Sequence, residues 1–386
     1  MLSLKNILRA LTCTLLVLIL PFSASALPKS QKAESMLAPP SISASSAVLI
    51  DADTKSILYQ KDAHTRRAMA STTKIMTALV AAELCELDRV VSVNEGAVGV
   101  EGSSVYLYAN ERLTMYELLC AMLLESANDA AAAIAFEVGG SIEGFCDLMN
   151  QKAKALGLSD THFTNPHGLY DTEHYTTAYE LALIGAAALE NEDIRKIVST
   201  KKMTIGAAGT TERVLYNHNK MLSSYEGAIG LKTGFTKKSG RCLVSAAARE
   251  GLVLIAVTLG APDDWNDHRS MLDFGFDNFE CATLAKKGEV AYRLGVMGGN
   301  ETQVSLVFAN SLSVTLPRGA LSRVECITET FTRNEFAPLP SGKSLGVASF
   351  YFDGKKIAEA ELVSATEVKR IPSKNGFFHK LKNIFK

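Results

Sequence analysis

An α+β fold is predicted by three features of this 386-residue chain. Two strand-like runs come first, a long helical stretch follows, and three more strand-like runs close the region ending near residue 281. Those five strands suffice for one antiparallel sheet with helices on its faces, in a domain of about 230 residues. Beyond it, residues 282–371 alternate in short pieces and read as a small, separate all-β domain.

The elements follow in chain order. Lys5 and Arg9 precede an apolar run from Ala10 to Leu20, and Ala24-Ser25-Ala26 offers small residues for cleavage. A basic start, an apolar run too short to span a bilayer and a small-residue site describe a secretory signal peptide over 1–26. An uncleaved anchor is the alternative. Residues 27–45, rich in Ser, Ala and Pro, are expected to form a tail without structure of its own. The core domain is expected over 46–281. Ala47–Asp51 and Ser56–Gln60 flank Ala52-Asp53-Thr54-Lys55 as strand, turn and strand. Small and apolar residues then run from Ile75 to Ala82 without Gly or Pro, which predicts a buried helix beginning near Ser71.

More than a hundred helical residues are expected next. Thr114 with Glu117, and Thr177 with Glu180, match capping boxes ahead of Leu118–Leu124 and Leu181–Leu189. Strand character returns at Ala228–Lys232, Cys242–Ala248 and Leu252–Leu259. In the β domain, Asp353-Gly354 between Phe350–Phe352 and Ile357–Val363 is a hairpin signal. The end of the chain, residues 372–386, differs again. Phe377, Phe378, Leu381, Ile384 and Phe385 fall within an arc of about 120° on a helical wheel, with Lys380, Lys382 and Lys386 outside it. That pattern suits a helix lying in a membrane interface; a terminal helix docked on the β domain is the alternative.

Composition narrows the function. With 47% hydrophobic and 21% charged residues the chain is globular, and a formal net charge of −1 supplies no basic field for nucleic acid. Six cysteines remain after residue 26, scattered rather than dense, and the seven histidines form no metal motif. Neither metal nor cofactor is expected.

Three motifs carry chemistry. Ser71 and Lys74 are three apart and would share a helix face. A serine becomes a nucleophile when a base takes its proton, and a lysine serves as that base only if burial or a nearby cation lowers its pKa. Alone, Ser-x-x-Lys arises by chance on the order of once in such a chain. Ser126-Ala127-Asn128 sits between one expected helix, Met115–Glu125, and another from Asp129; Lys232-Thr233-Gly234 ends an expected strand.

In this order the motifs resemble the penicillin-recognising serine enzymes, most closely the low-molecular-mass penicillin-binding proteins that are D-alanyl-D-alanine carboxypeptidases. Asn165-Pro166-His167-Gly168-Leu169, Asn217-x-Asn219 and Leu272–Phe276 add local similarity. The resemblance implies a penicillin-binding/β-lactamase-like domain and no cofactor. It makes Ser71 the acylated nucleophile, Lys74 its base, Ser126 the relay to the leaving amine, and Asn128 a holder of Lys74 and of the substrate amide. Lys232 and Thr233 would bind the substrate carboxylate, Gly234 would leave room for the peptide, and the Ser71 and Phe235 N–H groups would form the oxyanion hole. Asn165 and His167 are expected to shape a loop, and Arg269 is a further candidate for carboxylate binding. His218 and Phe235 stand where some relatives carry arginine and histidine.

The expected substrate is the pentapeptide stem of peptidoglycan, with β-lactam antibiotics as inhibitors. The enzyme would be exported and held on the outer face of the cytoplasmic membrane by its tail. A β-lactamase, an endopeptidase or transpeptidase on the same fold, and an inactive envelope-binding protein are the alternatives. Against the first, no Glu-x-x-x-Asn motif lies between Asn128 and Lys232.

Overall fold

The computed structural model describes residues 38–206 and 211–372. The signal peptide, most of the 27–45 tail and the amphipathic stretch beyond Pro372 lie outside the described residues.

β1 (Ser46–Asp51) and β2 (Ile57–Lys61) form the expected hairpin. Just before it, Ser43 N, Ser43 Oγ and Ala44 N all donate to the Asp267 carboxylate at 2.8–2.9 Å, and Ile42 is buried. The tail expected to lack structure through Ser45 is therefore docked over its last four residues. Its partner is more than two hundred residues away, which no local pattern reveals.

α1 (Lys74–Leu84) starts three residues later than expected, because Ser71 occupies a 3₁₀ turn over Ala70–Thr73. The middle of the chain is helical but not wholly so. A hairpin of β3 (Val90–Ser92) and β4 (Arg112–Thr114) precedes α2 (Met115–Leu124), α3 (Asn128–Gly139), α4 (Ile142–Ala155), α5 (Ala178–Glu190) and α6 (Glu192–Ser199). A second pair, β5 (Lys202–Ile205) and β6 (Arg213–Tyr216), comes before the short α7 (Met221–Ser224). Strands of three or four residues carry too little alternation to be read in advance. Thr114 and Glu117 complete the capping box on α2. On α5, Thr177 caps Glu180 N, but the Glu180 carboxylate turns away to accept from Ser159 N, Asp160 N and Thr161 Oγ1.

β7 (Ala228–Thr236), β8 (Gly240–Arg249) and β9 (Leu252–Leu259) complete an antiparallel sheet in the order β2-β1-β9-β8-β7, followed by α8 (Asp264–Asn278). β7 runs four residues further than expected, so Lys232-Thr233-Gly234 lies within the strand. Every residue of β1 is buried, since helices cover both faces of the sheet. Val48 and Ile50 pack with the helical block, while Ala47 and Leu49 face Met271 and Leu272 of α8.

β10 (Phe279–Ala285) crosses the expected division at 281/282 without interruption. Then come β11 (Val290–Met297), β12 (Gln303–Phe308), β13 (Leu312–Pro317), β14 (Val324–Thr330), β15 (Asn334–Phe336), β16 (Ser344–Phe352) and β17 (Lys355–Ser364). β10 pairs with β13, and the others form a six-stranded sheet in the order β14-β16-β17-β12-β11-β15. Asp353 and Gly354 both have positive φ, 49° and 76°, as the hairpin signal requires. Thr315 Oγ1 donates to Asp51, and Arg318 Nε donates to Phe276 O at 2.9 Å, joining the β10–β13 pair to the domain of the five-stranded sheet.

Candidate active site

Ser71 is held by backbone contacts from three sides. Ala70 before it takes a left-handed φ of 49°. Gly168, at φ 92°, lies so close that a Cβ there would sit 1.9 Å from Ala70 O. A Cβ on Gly234 would come 3.0 Å from Ser71 N, so β7 passes directly beside the turn. Only glycine fits both approaches.

Lys74, in the first turn of α1, is fully buried. Its Nζ lies 2.6 Å from Asn128 Oδ1, 2.7 Å from His167 O and 3.1 Å from Ser71 Oγ. Burial, then the nearby Lys232 cation, hold this amine well below the usual lysine range, against an opposing pull from Asp129. A neutral amine carries two hydrogens and one lone pair. Asn128 and His167 accept both hydrogens, which leaves the lone pair for the Ser71 hydroxyl.

Asn128, at the start of α3, is oriented by its own Nδ2, which donates to Glu101 O at 2.5 Å. Ser126 forms the sharp turn between α2 and α3 at φ 63°. Lys232 is buried on β7 and brought down to about 7 by burial, with Glu125 pulling the other way; its Nζ donates to Thr233 O at 3.1 Å.

These groups meet at a cleft of about 370 Å³ lined by Ser71, Ser126, Thr233, Gly234 and Phe235, whose ring is exposed. The structure thus brings Ser71, Lys74, Ser126, Asn128, Lys232, Thr233, Gly234 and Phe235 together from three stretches of chain. Asn165 shapes its loop, accepting from Gly168 N at 2.7 Å and donating to Leu169 O at 2.9 Å. His167 contributes its carbonyl, while burial, Lys74 and His174 lower its ring to about 3. Arg269 does not reach the cleft and donates instead to Ser224 O at 3.3 Å.

Three groups at the site escaped the sequence reading. Arg241 lines the cleft, donates to buried Asp264 at 2.9 Å and lies 5.8 Å from the Trp265 ring centroid. Its register position opposite Phe235 in the β7–β8 pair was the available signal. Asp129 collects Ser104 Oγ and the N–H groups of Val105 and Leu107, fixing the loop that carries Ser103. His174 accepts from Thr164 N through Nδ1, so its Nε2–H faces Thr73 Oγ1 at 2.8 Å, behind the Ser71 turn. Nothing in its local sequence marks it.

Comparison with known proteins agrees with this geometry. Residues 32–263 match the peptidase S11 family, D-alanyl-D-alanine carboxypeptidase, and residues 279–370 match the penicillin-binding protein 5 C-terminal domain. The Bacillus subtilis D-alanyl-D-alanine carboxypeptidase DacF is 33% identical, covering 94% of this chain and 95% of its own. DacC of Escherichia coli is 32% identical, covering 91% and 90%. Among solved structures, penicillin-binding protein 5 from Haemophilus influenzae superposes with a TM-score of 0.72 at 30% identity, covering 86% of this chain and all of that one. The Streptomyces K15 DD-transpeptidase superposes at 0.59 with 32% identity, over 62% of this chain and all of its own. A buried lysine of lowered pKa beside Ser71, in a chain matched along nearly its whole length, identifies this protein as a member of the serine D-alanyl-D-alanine carboxypeptidase family, the low-molecular-mass penicillin-binding proteins.

Proposed function

We propose that this protein removes the terminal D-alanine from peptidoglycan pentapeptide stems through an acyl-enzyme on Ser71. One observation carries the reading: among the described residues, Lys74 has acceptors for two hydrogens and only Ser71 Oγ in reach of its lone pair. Lys74 takes the hydroxyl proton as Oγ attacks the carbonyl of the penultimate D-alanine. The Ser71 and Phe235 N–H groups hold the oxyanion, and each such donor is worth about 3 kcal/mol. Asn128 holds Lys74 and the substrate amide. Ser126 passes the proton from Lys74 to the departing amine, so that D-alanine leaves neutral at that nitrogen and Lys74 is again a free base. Lys232 and Thr233 bind the terminal carboxylate, and Gly234 lets the peptide lie along β7. Water then attacks the ester, with Lys74 again as base, and frees Ser71.

β-Lactams enter as inhibitors because their strained amide acylates the same oxygen and the ring-opened leaving nitrogen stays attached. The domain organisation we infer is a signal peptide over 1–26, a tail over 27–45, the peptidase over 46–281, the β domain over 282–371 and a membrane-binding tail over 372–386. Export places the enzyme outside the cytoplasm, and the tail holds it at the outer face of the membrane. No helix among the described residues is long and apolar enough to cross a membrane.

Labelling with a fluorescent penicillin, beside a Ser71→Ala control, tests the acylating serine. D-alanine release from a pentapeptide tests the carboxypeptidase. Transfer to an amine acceptor is the second reading, favoured by the K15 neighbour's description as a DD-transpeptidase. Product analysis with an added amine separates the two. No labelling would leave an envelope-binding protein as the better account.

A further inference from the structure

We propose that the β15 end of the β domain is a second membrane contact, lying against anionic lipid beside the tail. The proposal rests on the reading of residues 372–386 as a membrane-binding tail. Four large apolar side chains are left open there: Met297 at 45%, Phe331 at 64%, Phe336 at 69% and Ile371 at 55% exposure. Three of them, Met297, Phe336 and Ile371, are neighbours through the backbone. Met297 and Phe336 are register partners in the parallel β11–β15 pair, and Ile371 N donates to Gly298 O, the residue after Met297, at 3.0 Å. Phe331 stands in the three-residue link from β14 to β15.

A single exposed apolar residue needs no explanation, whereas a group of them marks an interaction surface. The charges around it choose the partner. Arg333, Lys369 and Arg370 are exposed among these side chains, and Glu335 is neutralised by Lys343 at 3.0 Å. Glu301 and Glu367 are the opposing acids nearby. Aromatic rings interleaved with cations suit the boundary between headgroups and acyl chains better than a dry protein interface. From Ile371 the chain continues into Lys374, Phe377, Phe378 and Lys380, the same chemistry resumed within a few residues. Two contacts at one end of the domain would fix the orientation of the enzyme on the bilayer, which a single attachment does not.

The test uses the full mature chain with its native Trp265 as background, the single tryptophan of the sequence. Phe336→Trp and Val290→Trp each add a second one; Val290 is also exposed but stands at the opposite end of β11, about 23 Å away. Each variant is mixed with phosphatidylcholine–phosphatidylglycerol vesicles carrying brominated acyl chains, and flotation is measured alongside quenching. The proposal expects the tryptophan at 336 to be quenched and that at 290 not. It also expects Phe331→Ser with Phe336→Ser to weaken vesicle binding about tenfold. Flotation without quenching at 336, or equal quenching at both positions, overturns this second contact and leaves the tail reading standing. Absence of flotation overturns both. A tryptophan at 336 already shielded without vesicles means that the tail or a second copy covers the surface, and this too overturns the proposal.

Discussion

Replacing Asn128 by aspartate changes two atoms' chemistry and almost no volume, yet it should silence Ser71. Asn128 Oδ1 lies 2.6 Å from Lys74 Nζ in a fully buried setting. A full negative charge there would attract the lysine cation by about 6 kcal/mol at an effective dielectric constant of about 20. The carboxylate would also face Glu101 O, which now accepts from Asn128 Nδ2, and would pull back. Halving the attraction to about 3 kcal/mol still raises the Lys74 pKa by about two units. Catalysis needs the neutral amine, so the rate must climb with pH until that higher pKa is passed. Asn128→Asp is therefore expected to acylate with a fluorescent penicillin more slowly, with its alkaline rise displaced upward by about two units, a loss that approaches about a hundredfold at pH values below the parent's own rise. Asn128→Ala, which removes one acceptor and adds no charge, should lose only about ten- to thirtyfold, because His167 O still holds the amine. Stopped-flow acylation from pH 5 to 10, with thermal melts to verify folding, decides the matter. An alkaline rise at the same pH in Asn128→Asp and in the parent would refute a neutral-lysine base.

Arg241→Ala should raise KM for a pentapeptide about tenfold with little change in kcat, whereas Arg269→Ala, outside the cleft, should change neither; steady-state D-alanine release measures both. Gly168→Ala forces a Cβ onto Ala70 O and should cost about 3 kcal/mol or more in denaturant unfolding, with slower acylation in what remains folded. Burial pushes His167 and His268 down to about 3 and His174 to about 4, all from 6.5. They stay neutral in the fold and protonate when unfolded, so below about 6.5 the unfolded state binds more protons and stability falls as pH drops toward about 4. Each histidine contributes about 1.4 kcal/mol per pH unit in that window. Unfolding free energies measured from pH 7 to 4.5 should show this slope, and His268→Asn should remove about a third of it.

What the sequence disclosed depended on how far each cause reached along the chain. Five strands could be read because alternation and apolar runs are local, and β1 and β9 are mostly apolar. The three motifs could be read because residue type and short spacing carry them. The 3₁₀ turn at Ser71 could not, since it is set by Gly168 and Gly234, distant residues that press on the backbone. Arg241 was overlooked in favour of Arg269 because only strand register shows which arginine faces the cleft. Docking of Ser43 on Asp267 depends on a partner at the far end of the domain.

The same dispersal has a consequence for how the protein can be watched as it matures. Lys74 owes its lowered pKa to burial and to Lys232 and its orientation to acceptors from Asn128 and His167, and β1 finds its partner β9 only after about two hundred residues have followed it. Such long-range pairing folds slowly. Until it is complete, the emerging chain carries an ordinary serine beside an ordinary, charged lysine. A labelled penicillin would therefore mark only finished molecules, and the growth of bound label after release from a denaturant would count native enzymes as they form.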